Sequence, residues 1–313
     1  MLALNASDML DPALRGGVIA LGNFDGFHIG HQAVVARAIA LARARGVPAL
    51  IGTFTPHPAR YFRPDAPPFR LTTMDQRLAL FAASGVDATL IFHFAEGLAQ
   101  AAPEAFVADW LHGRAGVSGV VTGEDFTFGK ARAGNVADLA RLGAASGISA
   151  EAVTAVTDAE GIISSTRIRA AIRAGQMELA ARLLSRPYTI AGEVTHGDKL
   201  GRTIGFPTAN VLLADYLRPA YGIYAVRGHL ADGRVADGAA NIGIRPMFDP
   251  PKELLEVHLF DFAGDLYGQT MAVELRYFLR PEAKFEGLDA LTEQIARDCA
   301  HAKELLAASE ARP

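Results

Sequence analysis

The chain has 313 residues, about twice the size of an average domain, so two domains are expected, each able to bury a core of its own. With 50% hydrophobic and 20% charged residues, 31 glycines and 16 prolines, it is neither disordered, collagen-like nor of low complexity. A formal charge of -4 gives no field that would gather a polyanion, so nucleic acid is not an expected partner, and a single cysteine, Cys299, excludes internal disulfides and multi-cysteine metal clusters.

The start of the chain carries Asp8 and Asp11 and lacks the basic and then apolar pattern of a secretory signal. No uncharged apolar stretch reaches the ~18 residues of a membrane-spanning helix. A cytoplasmic protein without membrane contact is the expectation. Residues 18–21 read as a first strand. From Gly30, Val34, Ala38 and Leu41 fall at helical spacing, with Arg43 and Arg45 in the last turn and Gly46 as the stop. Then come a strand over 49–54, a helix over 75–83, a strand over 86–94, a helix over 103–111 and a strand over 119–123. This alternation describes a parallel sheet with crossover helices, an α/β Rossmann-like domain. A helix over 166–184 stops at Ser185, Arg186 and Pro187, and the boundary placed there gives domains over 1–186 and 187–313.

Beyond it the pattern changes to short strands over 188–194, 223–228, 254–262 and 270–279. In the last, Met271, Val273, Leu275, Tyr277 and Leu279 share one face by a period of two, opposite Ala272, Glu274 and Arg276. Short strands with glycine-rich turns predict a small antiparallel β-barrel. Leu291, Ile295, Cys299, Ala302 and Leu306 line one helical face, so a C-terminal helix is expected to pack on that barrel. There is no internal repeat.

Chemistry concentrates in a few strings. GNFDGFHIGH, from Gly22 to His31, joins the first strand to the first helix. Its glycines permit a tight turn, and the helix start offers free amides and a positive dipole end, a place for phosphate. His28 and His31 face the same side of that entrance, where imidazole N–H groups can bond triphosphate oxygens and stabilise departing pyrophosphate. Taken alone, such a pair also fits a helix cap; zinc is disfavoured because no cysteine is near and the usual helical pair is spaced by four.

Later strings are TFTPHP from Thr53, GEDFTFG from Gly123 with Arg132 and Gly134, and ISSTRIR from Ile163. Ser164, Ser165 and Thr166 fit the cap of the next helix, and Arg169 one turn on can fork onto phosphate. Pro56, His57 and Pro58 would stiffen a turn, while Phe126 and Phe128 suit a core or a stacking surface. The segment Gly123 to Lys130 is not a Walker loop, because Ala131 stands where Ser or Thr is needed, and no GxGxxG follows a strand. In this order the strings resemble the HxGH nucleotidyltransferases, in their flavin-adenylylating branch. The resemblance implies ATP binding by Gly22, Asn23, Asp25, Gly30, Ser164, Ser165 and Thr166, and catalysis by His28, His31 and Arg169. It puts Phe54, Pro56, His57, Pro58, Asp125 and Phe128 on the flavin side.

GDKLGRTIGFPTAN, from Gly197 to Asn210, spaces three glycines by four and ends in a rigid proline and small polar side chains. It suits either a ligand-free hairpin or a loop that brings N–H groups to phosphate, with Thr208 and Asn210 as oxygen ligands for Mg2+. YGIY from Tyr221, NIGIRP from Asn241, LEVH from Leu255, DF from Asp261, LYG from Leu266 and LRPE from Leu279 follow. Together they resemble riboflavin kinase. The resemblance implies phosphate binding by Gly197, Lys199, Gly201, Gly205, Thr208 and Asn210, Mg2+ at Thr208 and Asn210, and Glu256 as the base for the riboflavin 5'-hydroxyl. A barrel-interior carboxylate at 256 would be costly without a task or partner. Parity instead groups Glu256 with His258, opposite Leu255, Val257 and Leu259, which also fits a solvent-facing residue.

Two departures stand out, Met247 where the kinases usually have Thr, and Leu184-Ser185 where Leu-Gly is common; a methionine cannot replace a hydroxyl hydrogen bond. The resemblance spans about residues 17–306 in the module order of the bacterial bifunctional riboflavin kinase/FAD synthetases. It implies that riboflavin and ATP give FMN and ADP, and that FMN with a second ATP gives FAD and pyrophosphate. The alternatives are an FAD synthetase whose kinase half is impaired and a flavin- or nucleotide-sensing module without turnover.

Overall fold

The computed structural model of the chain describes residues 1–6, 8, 10–196, 201, 204–245 and 252–310. They fall into two compact units, one of Met1–Pro67 with Thr73–Ser164, the other of Pro68–Thr72 with Ser165–Pro313.

The first unit is built on six parallel strands: β1 (Leu2–Asn5), β2 (Val18–Leu21), β3 (Ala49–Thr55), β4 (Ala88–His93), β5 (Gly119–Gly123) and β6 (Ser149–Val153), in the order β1-β4-β3-β2-β5-β6. Residues of β2 and β3 are apolar on both faces because both are covered. Ile19, Leu21, Leu50 and Phe54 enter one cluster with Phe92 and Phe106; Val18, Ala20 and Ile51 enter another with Val35, Ala38 and Phe81. The helices are α1 (Ile29–Arg45), α2 (Pro58–Phe62), α3 (Met74–Ala83), α4 (Glu96–Ala99), α5 (Pro103–Ala105) and α6 (Val136–Ala145). Gly46 ends α1 in the left-handed region at φ 65°. A two-residue hairpin of β7 (Thr157–Asp158) and β8 (Gly161–Ile162) leads out of the sheet.

Two helix expectations need correction. The helix expected over 103–111 is α5 running into a π-helical stretch, Phe106–Arg114. Ala115 N–H reaches back five residues to Trp110 O at 2.9 Å, Arg114 lies 4.4 Å over the Trp110 ring, and Arg15 donates to the Gly113 and Arg114 carbonyls. The helix expected over 166–184 is two helices, α7 (Ser165–Arg173) and α8 (Met177–Leu184). Gly175 at φ 72° turns the chain, with Gln176 N–H bonded to Ala171 O at 2.9 Å. The buried stripe Ile168, Ile172, Ala180 and Leu183 continues across the break, so the pattern alone hides it.

The second unit is a closed antiparallel barrel of β9 (Tyr188–Thr195), β10 (Ala209–Leu212), β11 (Gly222–Leu230), β12 (Val235–Arg245), β13 (Lys252–Leu259) and β14 (Thr270–Pro281), in the order β10-β13-β12-β11-β14-β9. Ile190, Val211, Val226, Ile242, Leu255, Val273 and Leu275 fill it, each fully buried. β10 and β12 were not among the expected strands, and β13 ends before 262. The single face expected for β14 also fails: two register shifts against β11 carry Tyr277 and Leu279 to the outside, where they pack in the cluster of the C-terminal helix.

That helix, α9 (Leu288–Glu310), buries Cys299, Ala302 and Leu306 against Ala225 and Ala239. Arg280 on β14 forks onto Asp298 of α9 through Nε at 3.0 Å and Nη2 at 2.7 Å, and Gln294 adds a bond at 2.9 Å. Among the described residues no helix is long and apolar enough to cross a membrane.

Candidate active sites

In the first unit β3 lies on one side of β2 and β5 on the other. The loops after β2, β3 and β5 therefore meet at one sheet edge, where strand order reverses and ligands of open α/β sheets bind. In the turn after β2, Phe24, Gly26 and Phe27 have φ of 51°, 85° and 41°. Left-handed backbone costs a phenylalanine about 1–2 kcal/mol. Burying each ring contributes roughly 1.5–3 kcal/mol, so burial wins. Phe24 and Phe27 are 2% and 4% exposed and meet Phe81 edge to face at 5.9 and 5.1 Å.

His28 caps α1: its Nδ1 accepts from His31 N–H at 3.3 Å. That role leaves the proton of neutral His28 on Nε2, as a donor. The His28 and His31 rings stack with centroids 3.6 Å apart, so two imidazoliums would repel there unless an anion sits against them. Gly30 leaves little room in the first turn, since a Cβ would stand 3.1 Å from His28 Cε1 and 3.3 Å from the Ile163 carbonyl. This close approach brings the start of the ISSTRIR string beside the helix entrance. Asp25 is buried, and a Cβ on Gly22 would meet the Phe24 ring at 3.0 Å. The Asn23 carbonyl accepts from Thr53 Oγ1 at 3.0 Å and from Arg77 Nη1 at 2.8 Å, while its Oδ1 is buried without a hydrogen-bond partner.

Of the expected flavin-side residues, Phe54 and Phe128 are core side chains, 8% and 6% exposed, and Asp125 is exposed. The Thr55-Pro56 bond is cis; His57 caps α2 through Nδ1, which accepts from Ala59 N–H at 3.1 Å, and Pro58 is the first helical residue. Phe126 stacks on Phe128 at 5.9 Å. Tyr61 and Phe62, which the sequence reading did not select, meet Phe94 at 5.4 and 5.8 Å, with Phe62 60% exposed. Ser164 ends the first unit, while Ser165, Thr166 and Arg169 belong to the second. Arg169 Nε donates to Phe69 O at 2.9 Å, with its guanidinium 5.4 Å over the Phe69 ring.

Arg77 was also missed. It is 4% exposed, one turn before fully buried Phe81, and a cation on the apolar side of a helix was the signal that could have found it.

In the second unit a polar row crosses the barrel, with Thr195, Asn210, Glu256 and Asn241 in register on β9, β10, β13 and β12. Register partners share a face, and Leu255 and Val257 point inward, so the row lies outside. Glu256 is accordingly half-buried on the outer face rather than inside the barrel. Asn210 is 5% exposed beside it, and Asn241 Oδ1 on the other side is buried without a hydrogen-bond partner. Thr208 stands immediately before β10, two residues from Asn210. The loop before it is tight: Phe206 N–H donates to Gly201 O at 2.7 Å, a Cβ on Gly201 would meet the Phe206 carbonyl, and Gly205 has φ 86°. His258 Nδ1–H donates to Pro207 O at 2.9 Å, which ties the loop to β13. Gly197, Lys199 and Met247 lie outside the described residues.

Glu253 at the rim is paired with Arg218 and Tyr221. Burial works to raise its pKa, but bonds from Tyr221 and Arg218 hold it below the usual range. Burial and the bond to Glu253 push the Tyr221 hydroxyl up to about 12.

Residues 10–167 match the family model described as FAD synthetase and residues 184–306 that described as riboflavin kinase. The chain is 41% identical over 305 residues to the bifunctional riboflavin kinase/FMN adenylyltransferase of Pseudomonas fluorescens, covering 97% of each. It is 39% identical over 290 residues to the bifunctional riboflavin kinase/FMN adenylyltransferase of Escherichia coli K12, covering 93% of each. Among solved structures, one described as a macrolide-efflux protein from Streptococcus pneumoniae superposes with a TM-score of 0.85 at 31% identity, over 95% of this chain and 97% of that one.

Proposed function

The chain belongs to the family of bifunctional riboflavin kinase/FMN adenylyltransferases, and from that premise we propose how its residues divide the two reactions. It is a transferase that phosphorylates riboflavin to FMN and adenylylates FMN to FAD. We assign adenylyl transfer to residues 1–186 and the kinase to 187–313. The observation that carries the two-site reading is the separation of the motifs, His28 and His31 in the first compact unit, Thr208, Asn210 and Glu256 in the second.

In the kinase half, Glu256 takes the proton of the riboflavin 5'-hydroxyl as that oxygen attacks the γ-phosphorus of ATP, and ADP leaves. Asn210 and Asn241 flank the carboxylate in register. Thr208 and Asn210 offer hard oxygen donors. Such a donor set fits Mg2+, which takes few protein ligands and completes its shell with phosphates and water. Bound there, Mg2+ supplies charge neutralisation on the ATP phosphates. Gly197, Lys199, Gly201 and Gly205 line the phosphate loop in this reading.

In the adenylyl-transfer half, an FMN phosphate oxygen attacks the α-phosphorus of a second ATP and pyrophosphate leaves. The nucleophile is already ionised, so no base is required. His28 Nε2–H, His31, Arg169 and the free amides at the start of α1 stabilise the developing charge. Gly22, Asn23, Asp25, Gly30, Ser164, Ser165 and Thr166 form the nucleotide side, with Phe54, Pro56, His57, Pro58, Asp125 and Phe128 shaping the flavin side. ATP as co-substrate and a buried thiol fit a cytoplasmic location.

The test is product identification from riboflavin, ATP and Mg2+. Both FMN and FAD are expected; FAD formed only from supplied FMN would leave a synthetase with an impaired kinase.

A further inference from the structure

We infer that Arg77 is a positioning residue for adenylyl transfer, fixing the carbonyl of Asn23 and through it the turn that presents His28 and the amides of α1 to the triphosphate. This rests on the reading of the first unit as the FMN adenylyltransferase. Arg77 is 4% exposed on α3, one turn before Phe81 on the buried side of that helix, where an apolar side chain would satisfy packing. Withdrawing a guanidinium from water is costly, and its Nε makes no hydrogen bond there, so the bonds of Nη1 are the ones that call for an explanation.

Nη1 spends both hydrogens on one locus, at 2.8 Å to the Asn23 carbonyl and 3.1 Å to Thr53 Oγ1. Thr53, itself fully buried on β3, donates to the same carbonyl at 3.0 Å. The three bonds close a triangle in which both lone pairs of that carbonyl are used. Asn23 is the residue at which the chain leaves the strand for the turn, and the turn itself holds two phenylalanines at positive φ, a conformation its neighbours must impose. A carbonyl free to rotate there would release the turn and move His28, whose Nδ1 is committed to the helix cap and whose Nε2 is the working donor. Arg77 touches no reacting atom; it acts through Asn23 and Thr53. Its charge also stands fixed behind the turn that faces phosphate.

The test measures FAD formation from supplied FMN and ATP in the full chain, alongside FMN formation from riboflavin. In Arg77→Met, kcat for FAD formation is expected to fall by about 10- to 100-fold, the scale of a misplaced catalytic group, with KM for FMN and the kinase rate within about twofold. Arg77→Lys keeps a charged donor and recovers most of that loss. Thr53→Val, isosteric and without the hydroxyl, falls several-fold, and adding it to Arg77→Met costs little more, because both remove the same triangle.

Parent-like kcat in folded Arg77→Met and Thr53→Val overturns the inference, as does an Arg77→Lys no better than Arg77→Met. Should Arg77→Met fail to fold, Thr53→Val decides alone, a parent-like kcat overturning the inference and a several-fold fall supporting it. A parent chain that forms no FAD overturns the adenylyltransferase reading itself, and is distinguished by needing no variant.

Discussion

The roles proposed for Glu256 and His28 fall to side chains in unlike surroundings, and the difference sets what their removal should do. Glu256 sits in a sheet whose register does not depend on it, so Glu256→Gln should keep the barrel and remove the proposed base. FMN formation should then fall by about 100- to 10,000-fold while FAD formation from supplied FMN is unchanged. His28→Ala should do the reverse by about 100- to 1,000-fold, and it should also cost about 1 kcal/mol of stability, because the same ring caps α1. Quenched-flow product analysis with a urea titration of each variant checks both statements. At this scale much was legible. The spacing of His28 and His31 placed both rings at the helix entrance, and strand parity grouped Glu256 with His258. Arg77 was not legible, since a single arginine in a helix reads as a solvated face until burial is seen, and Asn241 gained meaning only when register set it beside Glu256.

Elements were read well where one pattern matched one environment. β2, β3 and α1 fall where composition and caps place them, whereas α7 and α8 read as one helix because their apolar stripe runs on past Gly175. β14 read as one face because bulges leave no mark in a period of two. The Leu184-Ser185 departure has a structural address: Ser185 ends α8 at φ 60°, a left-handed position that favours glycine. Ser185→Gly should therefore stabilise the chain by about 0.5–1 kcal/mol, read as a raised urea midpoint at unchanged slope. A second prediction concerns the junction of α1 and β3. The Asp87 carboxyl is held below the usual carboxylate range by its bonds from Arg43, with burial opposing and the Ala49 N–H adding to the effect. A depressed folded pKa means the contribution is present above the unfolded value of about 3.9 and is lost as pH falls through the lower folded value. Asp87→Asn should flatten that acid limb in unfolding titrations between about pH 2 and 5.

For the whole molecule, the two proposed nucleotide sites, one built around His28 and one around Thr208, predict that a non-hydrolysable ATP analogue titrates with a stoichiometry near two per chain in calorimetry. A value of one at saturation would contradict the division of labour. The order of the modules was legible because each carries strings specific to its chemistry. The partition of contacts was not: residues 68–72 fold with the second unit, where Leu217 N–H donates to Arg70 O at 2.8 Å and Arg70 N–H to Asp215 O at 3.3 Å. Pairing between segments so distant in sequence leaves no periodic trace for a reader of the chain.

The chain's only sulfhydryl faces inward from the last helix, 9% exposed and with its pKa pushed up to about 11 by burial. A maleimide can reach it only after that helix has lifted from the strands beneath. One mass measurement over time thus becomes a clock for how often this side of the barrel is laid bare, and a flavin that slows the clock would be one that holds the helix down.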